Sequence, residues 1–246
     1  MRLTSCFLSL IFSVAVFAQN DTTNYDVSNT GIDFFHLSAP FVFHQPDTGI
    51  SNFHEYNPVR AQEDGLVFLG NMGQAYYPLT YHFPGKIGFD LGWHQLDLYQ
   101  YQKENTRFYR AKKPFTELAY KIGSNPEQKF SIRHSQNVIP QLNLALDYDR
   151  IVSNGYLTRQ KTAFHNFEGS GWFRTKNERY NLAFSYILND VRNEENGGVA
   201  IDSIFDITPR LNIPINRASA EIRMRKSIPT LWQSFGFGEM NTTAVN

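Results

Sequence analysis

The chain has 246 residues, with 23 basic and 23 acidic side chains and a sequence pI near 7.1. That length suits one sizeable domain or two small ones, and the near-neutral charge removes the electrostatic case for a nucleic-acid partner. The single cysteine, Cys6, lies so close to the start that disulfide and thiol chemistry are excluded from the rest of the chain.

Residues 1–18 read as an export signal. Arg2 supplies a positive start, residues 6–17 are mostly apolar, and Val16-Phe17-Ala18 forms a small-residue cleavage site before Gln19. The apolar run is too short to stay in a bilayer as a helix. No cysteine stands at the cleavage point to carry a lipid anchor. Loss of Arg2 with the signal leaves the mature chain one charge negative.

Residues 19–84 read as an irregular periplasmic lead-in or plug segment. Residues 19–29 are polar, and Pro40, Pro46, Pro58, Pro78 and Pro84 interrupt the remainder of the segment. Asp33-Phe34-Phe35-His36-Leu37 and residues 65–69 read as short strands, neither long enough to span a membrane.

Residues 85–246 read as a β-barrel region. Ile87, Phe89, Leu91 and Trp93 alternate with Lys86, Gly88, Asp90 and Gly92. Leu118, Tyr120 and Ile122 then oppose Glu117, Ala119 and Lys121, before a turn at residues 123–126. Phe130, Ile132 and His134 oppose Lys129, Ser131 and Arg133. Leu142, Leu144, Leu146 and Tyr148 oppose Asn143, Ala145, Asp147 and Asp149.

Residues 151–162 read as a loop, followed by a strand of poor phase over residues 163–173. Thr175 to Arg179 makes a compact turn. Tyr180, Leu182, Phe184, Tyr186 and Leu188 then oppose Asn181, Ala183, Ser185 and Asn189, with Ile187 breaking the alternation. Residues 193–198 read as a loop. Two short strands complete the region, one over residues 220–225 and one over residues 231–237, for about eight candidates in all.

Helix is a poor alternative for these segments. At about 100° per residue Leu142, Leu144, Leu146 and Tyr148 would share no single face, whereas a strand aligns all four. The expected fold is therefore all-β, an antiparallel transmembrane β-barrel. Closure would satisfy every backbone donor and acceptor of a membrane wall. Reversing the two faces would place charge in hydrocarbon at about 2–4 kcal/mol per basic group near the midplane. In this reading Glu117, Lys129, Arg133, Asp147 and Asp149 face the lumen. Trp93, Leu142, Leu146, Tyr148, Tyr180, Phe184 and Tyr186 face lipid or form an interfacial girdle.

No motif for catalysis, a cofactor or a metal emerges. The seven histidines (His36, His44, His54, His82, His94, His134 and His165) are too widely spaced for a zinc motif. Ser135 beside His134 has neither a nucleophile elbow nor an oriented acid partner. The glycines between Gly65 and Gly92 form no phosphate-binding loop, and the aspartates reproduce no calcium loop.

The sequence resembles the Putative porin family of Bacteroidota outer membranes. The likeness runs through Leu69-Gly70-Asn71-Met72-Gly73, Gly88-Phe89-Asp90, His94-Gln95-Leu96-Asp97-Leu98-Tyr99 and Glu104-Asn105-Thr106-Arg107-Phe108-Tyr109. It continues through Pro114-Phe115-Thr116-Glu117-Leu118-Ala119-Tyr120, Ala145-Leu146-Asp147-Tyr148, Lys176-Asn177-Glu178-Arg179-Tyr180 and Glu195-Asn196-Gly197-Gly198. The resemblance implies a β-barrel in the cell outer membrane and a diffusion channel, without naming a solute. It also implies a longer barrel-forming chain, and residues 242–246 lack a terminal aromatic residue. A truncated product or fragment and an intact eight-stranded barrel are both expectations of the resemblance.

The expected function is thus non-enzymatic: an outer-membrane porin-like protein allowing passive solute diffusion through a hydrated lumen. Its expected partners are outer-membrane lipid and small solutes. Two alternatives stand beside it. One is a small structural or interaction β-barrel without an open pore, and the other is a soluble secreted β-domain that binds carbohydrate or protein.

Overall fold

The computed structural model describes residues 31–46, 66–68, 70–80, 92–123, 127–201 and 212–237. The export signal, most of the strand expected over residues 86–93, the tip of the turn at 123–126 and the terminal residues 242–246 lie outside the described residues. Five short strands come first: β1 (Ile32–His36), β2 (Ala39–His44), β3 (Leu66–Phe68), β4 (Tyr76–Pro78) and β5 (Phe108–Ala111). Six longer ones come after them: β6 (Phe115–Gly123), β7 (Glu127–Ile139), β8 (Leu142–Ser153), β9 (Thr162–Arg174), β10 (Tyr180–Glu195) and β11 (Ala220–Phe235).

The long strands form one antiparallel meander in the order β11-β10-β9-β8-β7-β6. Smaller sheets pair β2-β1-β5 and β3-β4. Several strands outrun their expected ends. β8 continues to Ser153, β10 continues to Glu195, and the two late strands are one. Pro229 sits within that single strand, where an edge position tolerates a residue that cannot donate to a ladder.

The expected barrel is corrected by this topology. β6 and β11 are the two ends of the sheet and do not pair with each other, so the sheet is open. The backbone groups along such edges have no internal partner. In hydrocarbon each would cost several kcal/mol, which is why spanning sheets close. The expectations that rested on a closed lipid-facing wall are corrected with it. These are the transmembrane strands, the hydrated lumen for passive solute diffusion, outer-membrane lipid as a partner, and the cell outer membrane as location. No helix among the described residues is long and apolar enough to cross a membrane.

The two faces of the open sheet differ sharply. On β10, Asn181, Ala183, Ser185, Ile187, Asn189, Val191 and Asn193 are buried, while Phe184 and Tyr186 on the other face are exposed. Ile187, which breaks the alternation in sequence, joins this buried face with Val191. The apolar face is therefore the open one. Leu118, Tyr120 and Ile122 on β6 and Leu231 on β11 extend it, each more than half exposed. The covered face is mostly polar and lies beneath residues 71–80 and 92–111, whose backbone is largely irregular.

Three apolar clusters anchor that cover, one of them formed by Ile32, Phe34, Tyr109, Ala111 and Ala145. At one end Leu96, Tyr99, Ile151, Phe164 and Val191 pack together. At the other, Phe35 and Phe108 of the three-stranded sheet meet Trp172 and Ala183, with Phe35 edge-on to Trp172 at 5.3 Å. Between the clusters the contacts are hydrogen bonds.

On the open face, Gly169 and Gly171 interrupt the side-chain stripe of β9 and explain its poor phase. Phe184 of β10 and Leu144 of β8 fold over Gly171, so a Cβ there would meet the Phe184 ring at 2.4 Å. At Gly169 the nearest atom would be an ordinary 3.7 Å away. Gly171→Val should therefore lower stability by about 1–3 kcal/mol through displacement of that ring. Gly169→Ala should be neutral or slightly stabilising. Urea denaturation of both variants checks the pair, and equal losses would refute this account of β9.

Candidate functional site

The centre of the covered face is a row of charged side chains running across four strands. Glu117 on β6 is in register with Arg133 on β7, Arg133 with Asp147 on β8, and Asp147 with Glu168 on β9. The two-residue period of each strand makes this row inevitable once the register is set. Arg133 donates through Nε to Asp147 Oδ1 at 2.6 Å and through a terminal nitrogen to Glu117 Oε2 at 3.1 Å. Lys129 lies 3.7 Å from Asp149 in an adjacent row.

The row borders a cavity of about 740 Å³ that lies between the sheet and residues 98–107. The sheet's asparagines hold this roof in place by bonding its backbone. Asn166 Nδ2 donates to the Tyr99 carbonyl at 2.6 Å. Asn189 donates to the Tyr101 carbonyl at 2.9 Å and accepts from the Tyr101 N–H at 3.1 Å. Ser170 donates to the Arg107 carbonyl at 3.2 Å. Further along, Thr162 and Asn193 donate to the carbonyls of Met72 and Gly73.

Burial shapes the acidity of the row. It pushes the Asp147 carboxyl up, and the Arg133 charge and hydrogen bond offset only part of that. Burial also opposes the Arg133 charge, but Asp147, Tyr109 and Glu117 together more than compensate and hold it protonated. Glu168 is pushed up to about 7, by burial first and then by Asp147, against the opposing influence of the nearby Thr106 hydroxyl. Burial likewise raises the Tyr101 hydroxyl, with Asp149 and Asp147 adding to the effect.

The cavity brings together all five residues expected to face a lumen: Glu117, Lys129, Arg133, Asp147 and Asp149. They face a roofed hollow on one side of an open sheet. Leu142, Leu146 and Tyr148 on β8, and Tyr180, Phe184 and Tyr186 on β10, lie on the opposite, open face. Trp93 stands apart, outside every strand and 69% exposed. Sequence reasoning missed Gln100, Tyr101, Arg107 and Glu168. Glu168 alone had a readable signal, since it alternates with Phe167 and Gly169 once the outward glycines are recognised. No group of three or more His, Cys, Asp or Glu residues that could hold a metal ion occurs among the described residues.

An antiparallel β-sheet protein with a polar, roofed face and an open apolar one is the class these features define. The chain belongs to the family described as Putative porin, whose model matches residues 35–235. Membership of a family described by a transport role, not a catalytic one, agrees with the non-enzymatic function expected from the sequence. No curated protein and no solved structure matches the chain.

The Glu168 carboxyl gives stability a pH dependence of definite sign. Its folded value near 7 lies above the ordinary 4.5, so folding takes up a proton between those limits. The contribution is fully present below about pH 4.5 and is lost as pH rises through about 7. Glu168→Gln should match the wild type near pH 4.5 and exceed it by at most about 3 kcal/mol at pH 8. Urea midpoints across that range test this, and a difference that does not grow with pH would exclude it.

Proposed function

We propose that this chain is a non-catalytic interaction protein whose large sheet is extended by β-strands of another polypeptide added along β11. One observation carries the reading. β11 is 16 residues long, is paired along its whole length to β10, and has no strand on its other edge among the described residues. A long edge of this kind is a template for strand addition.

The side chains fit the same role. The row Tyr180–Phe235 and Phe184–Leu231 carries the open apolar face up to the edge, and Phe237 continues it just past the strand. An added strand with apolar residues at every second position would extend that face. Its other residues would continue the row of Ile228, Thr230 and Trp232. Charge is concentrated at the opposite end of β11, where Arg225 pairs with Asp190 and Arg192 with Glu221. Register of the incoming strand is thus set by an apolar half and a charged half.

Magnitudes decide which feature governs affinity. About eight new backbone hydrogen bonds at about 0.5–1.5 kcal/mol each are comparable with the roughly 4–15 kcal/mol that association costs. The edge alone therefore supplies orientation, and burial of Leu231 and Phe235 decides whether the complex persists.

A second copy of the chain serves as the probe. The wild type should show concentration-dependent assembly by light scattering, with slowed hydrogen exchange at β11. Leu231→Lys with Phe235→Lys should remain monomeric and folded. A wild type that stays monomeric at all concentrations, with freely exchanging β11 amides, would sink the reading.

A further inference from the structure

We infer that the strand added along β11 is β6 of a second copy of this chain, so that copies join edge to edge into a longer sheet. The inference rests on strand addition at β11 and names the partner. β6 is the other end of the large sheet and, like β11, has no strand on its outer edge among the described residues. Its Leu118, Tyr120 and Ile122 are 66%, 55% and 69% exposed on the open face. An exposed apolar edge strand is a site of association.

Direction and face select β6 over a second β11. The sheet is an antiparallel meander of six strands, so β6 and β11 run in opposite directions. A second copy in the same orientation therefore brings β6 antiparallel to β11, with open face beside open face and covered face beside covered face. Two β11 strands match less well. Paired antiparallel along their length, each would set its apolar half, Leu231 and Phe235, against the other's charged half, Glu221, Arg223 and Arg225. Paired parallel, they would turn one sheet over and put its open face beside the other's covered one.

The side chains also set where the strands meet. On β6 the charged residues Glu117 and Lys121 lie on the covered face, and the open face carries Thr116, Leu118, Tyr120 and Ile122. That uncharged row fits the apolar half of β11. Leu118 opposite Phe235 and Ile122 opposite Leu231 would put four exposed apolar side chains into cross-strand pairs. Lys121 then falls opposite Trp232, and Ala119 opposite Ser234. Within one copy Leu118 is level with Ser227, through Ile132, Tyr148, Phe167 and Leu188. Pairing with Phe235 instead staggers successive copies along the strand direction. The contact is heterologous, and each added copy presents a fresh β11 edge, so growth continues past the dimer.

The test uses the full chain and two complementary variants. Leu118→Lys with Ile122→Lys spoils β6 and leaves β11 intact, whereas Leu231→Lys with Phe235→Lys does the reverse. By light scattering the wild type should grow beyond a dimer, and each variant alone should stay monomeric. Their equimolar mixture should form a dimer and nothing larger, because one intact β11 meets one intact β6. Cross-linking gives a second readout that spares the apolar side chains and serves if a lysine variant does not fold. In a Cys6→Ser background, Ala119→Cys mixed with Ser234→Cys should yield a mixed dimer with a short bis-maleimide, and neither alone should. Assembly that persists with Leu118→Lys and Ile122→Lys, or cross-linking of Ser234→Cys to itself, would overturn the inference and leave strand addition at β11 standing. A wild type that stays monomeric would overturn both.

Discussion

The structure depends on hydrogen bonds from strand side chains to the backbone of an irregular roof. Residues 71–80 and 92–111 contain little regular structure, so most of their N–H and C=O groups cannot pair among themselves. Buried without partners, each would cost about 1–3 kcal/mol. Thr162, Asn166, Ser170, Asn189 and Asn193 meet that need directly, from positions that the strand period places on one face. A polar sheet face is thus the means by which loops without secondary structure can be buried at all. The three apolar clusters add attraction, but hydrogen bonding fixes where the roof lies.

The same device explains the inversion of the sheet. A soluble sandwich usually covers its apolar face and leaves the polar one wet. Here the polar face has an obligatory partner in the roof, so the Leu, Phe and Tyr side chains are left on the other side. The open face and the free edge of β11 are consequences of one assignment of faces. Phe184 and Leu144 lying over Gly171 soften that exposure locally by letting large side chains bury one another.

Much of this was legible in the sequence, and the limits have physical causes. β8 and β10 were readable because the apolar stripe is strictly two-periodic, and the five charged residues could be assigned to one face by the same rule. β9 was blurred because Gly169 and Gly171 occupy outward positions without side chains, and Phe184 and Leu144 of the neighbouring strands fill the space over Gly171. β11 read as two strands because Ser227 and Pro229 interrupt its outward stripe at the middle. The closed barrel was expected because alternation describes how one strand divides its faces. Closure is a different property, decided by whether the last strand meets the first, and no single strand encodes it. Gln100, Tyr101 and Arg107 were invisible for a third reason: an irregular segment has no period, and its position is dictated by asparagines far along the chain.

The charged row shows why that placement matters beyond packing. Three carboxyl groups and one guanidinium lie abreast, and a buried row with two net negative charges would oppose folding. Arg133 is shared by its two immediate neighbours, Glu117 and Asp147, so Glu168 is left without a direct cation in the row. Its carboxyl takes the upward shift to about 7 and so carries the proton over most of the acidic range. Apolar side chains of similar volume would make this region more stable. The fold keeps charge there next to a hollow that the roof does not fill. A row arranged for stability alone would have closed that hollow, so the cavity and its half-compensated charges are best understood as one feature.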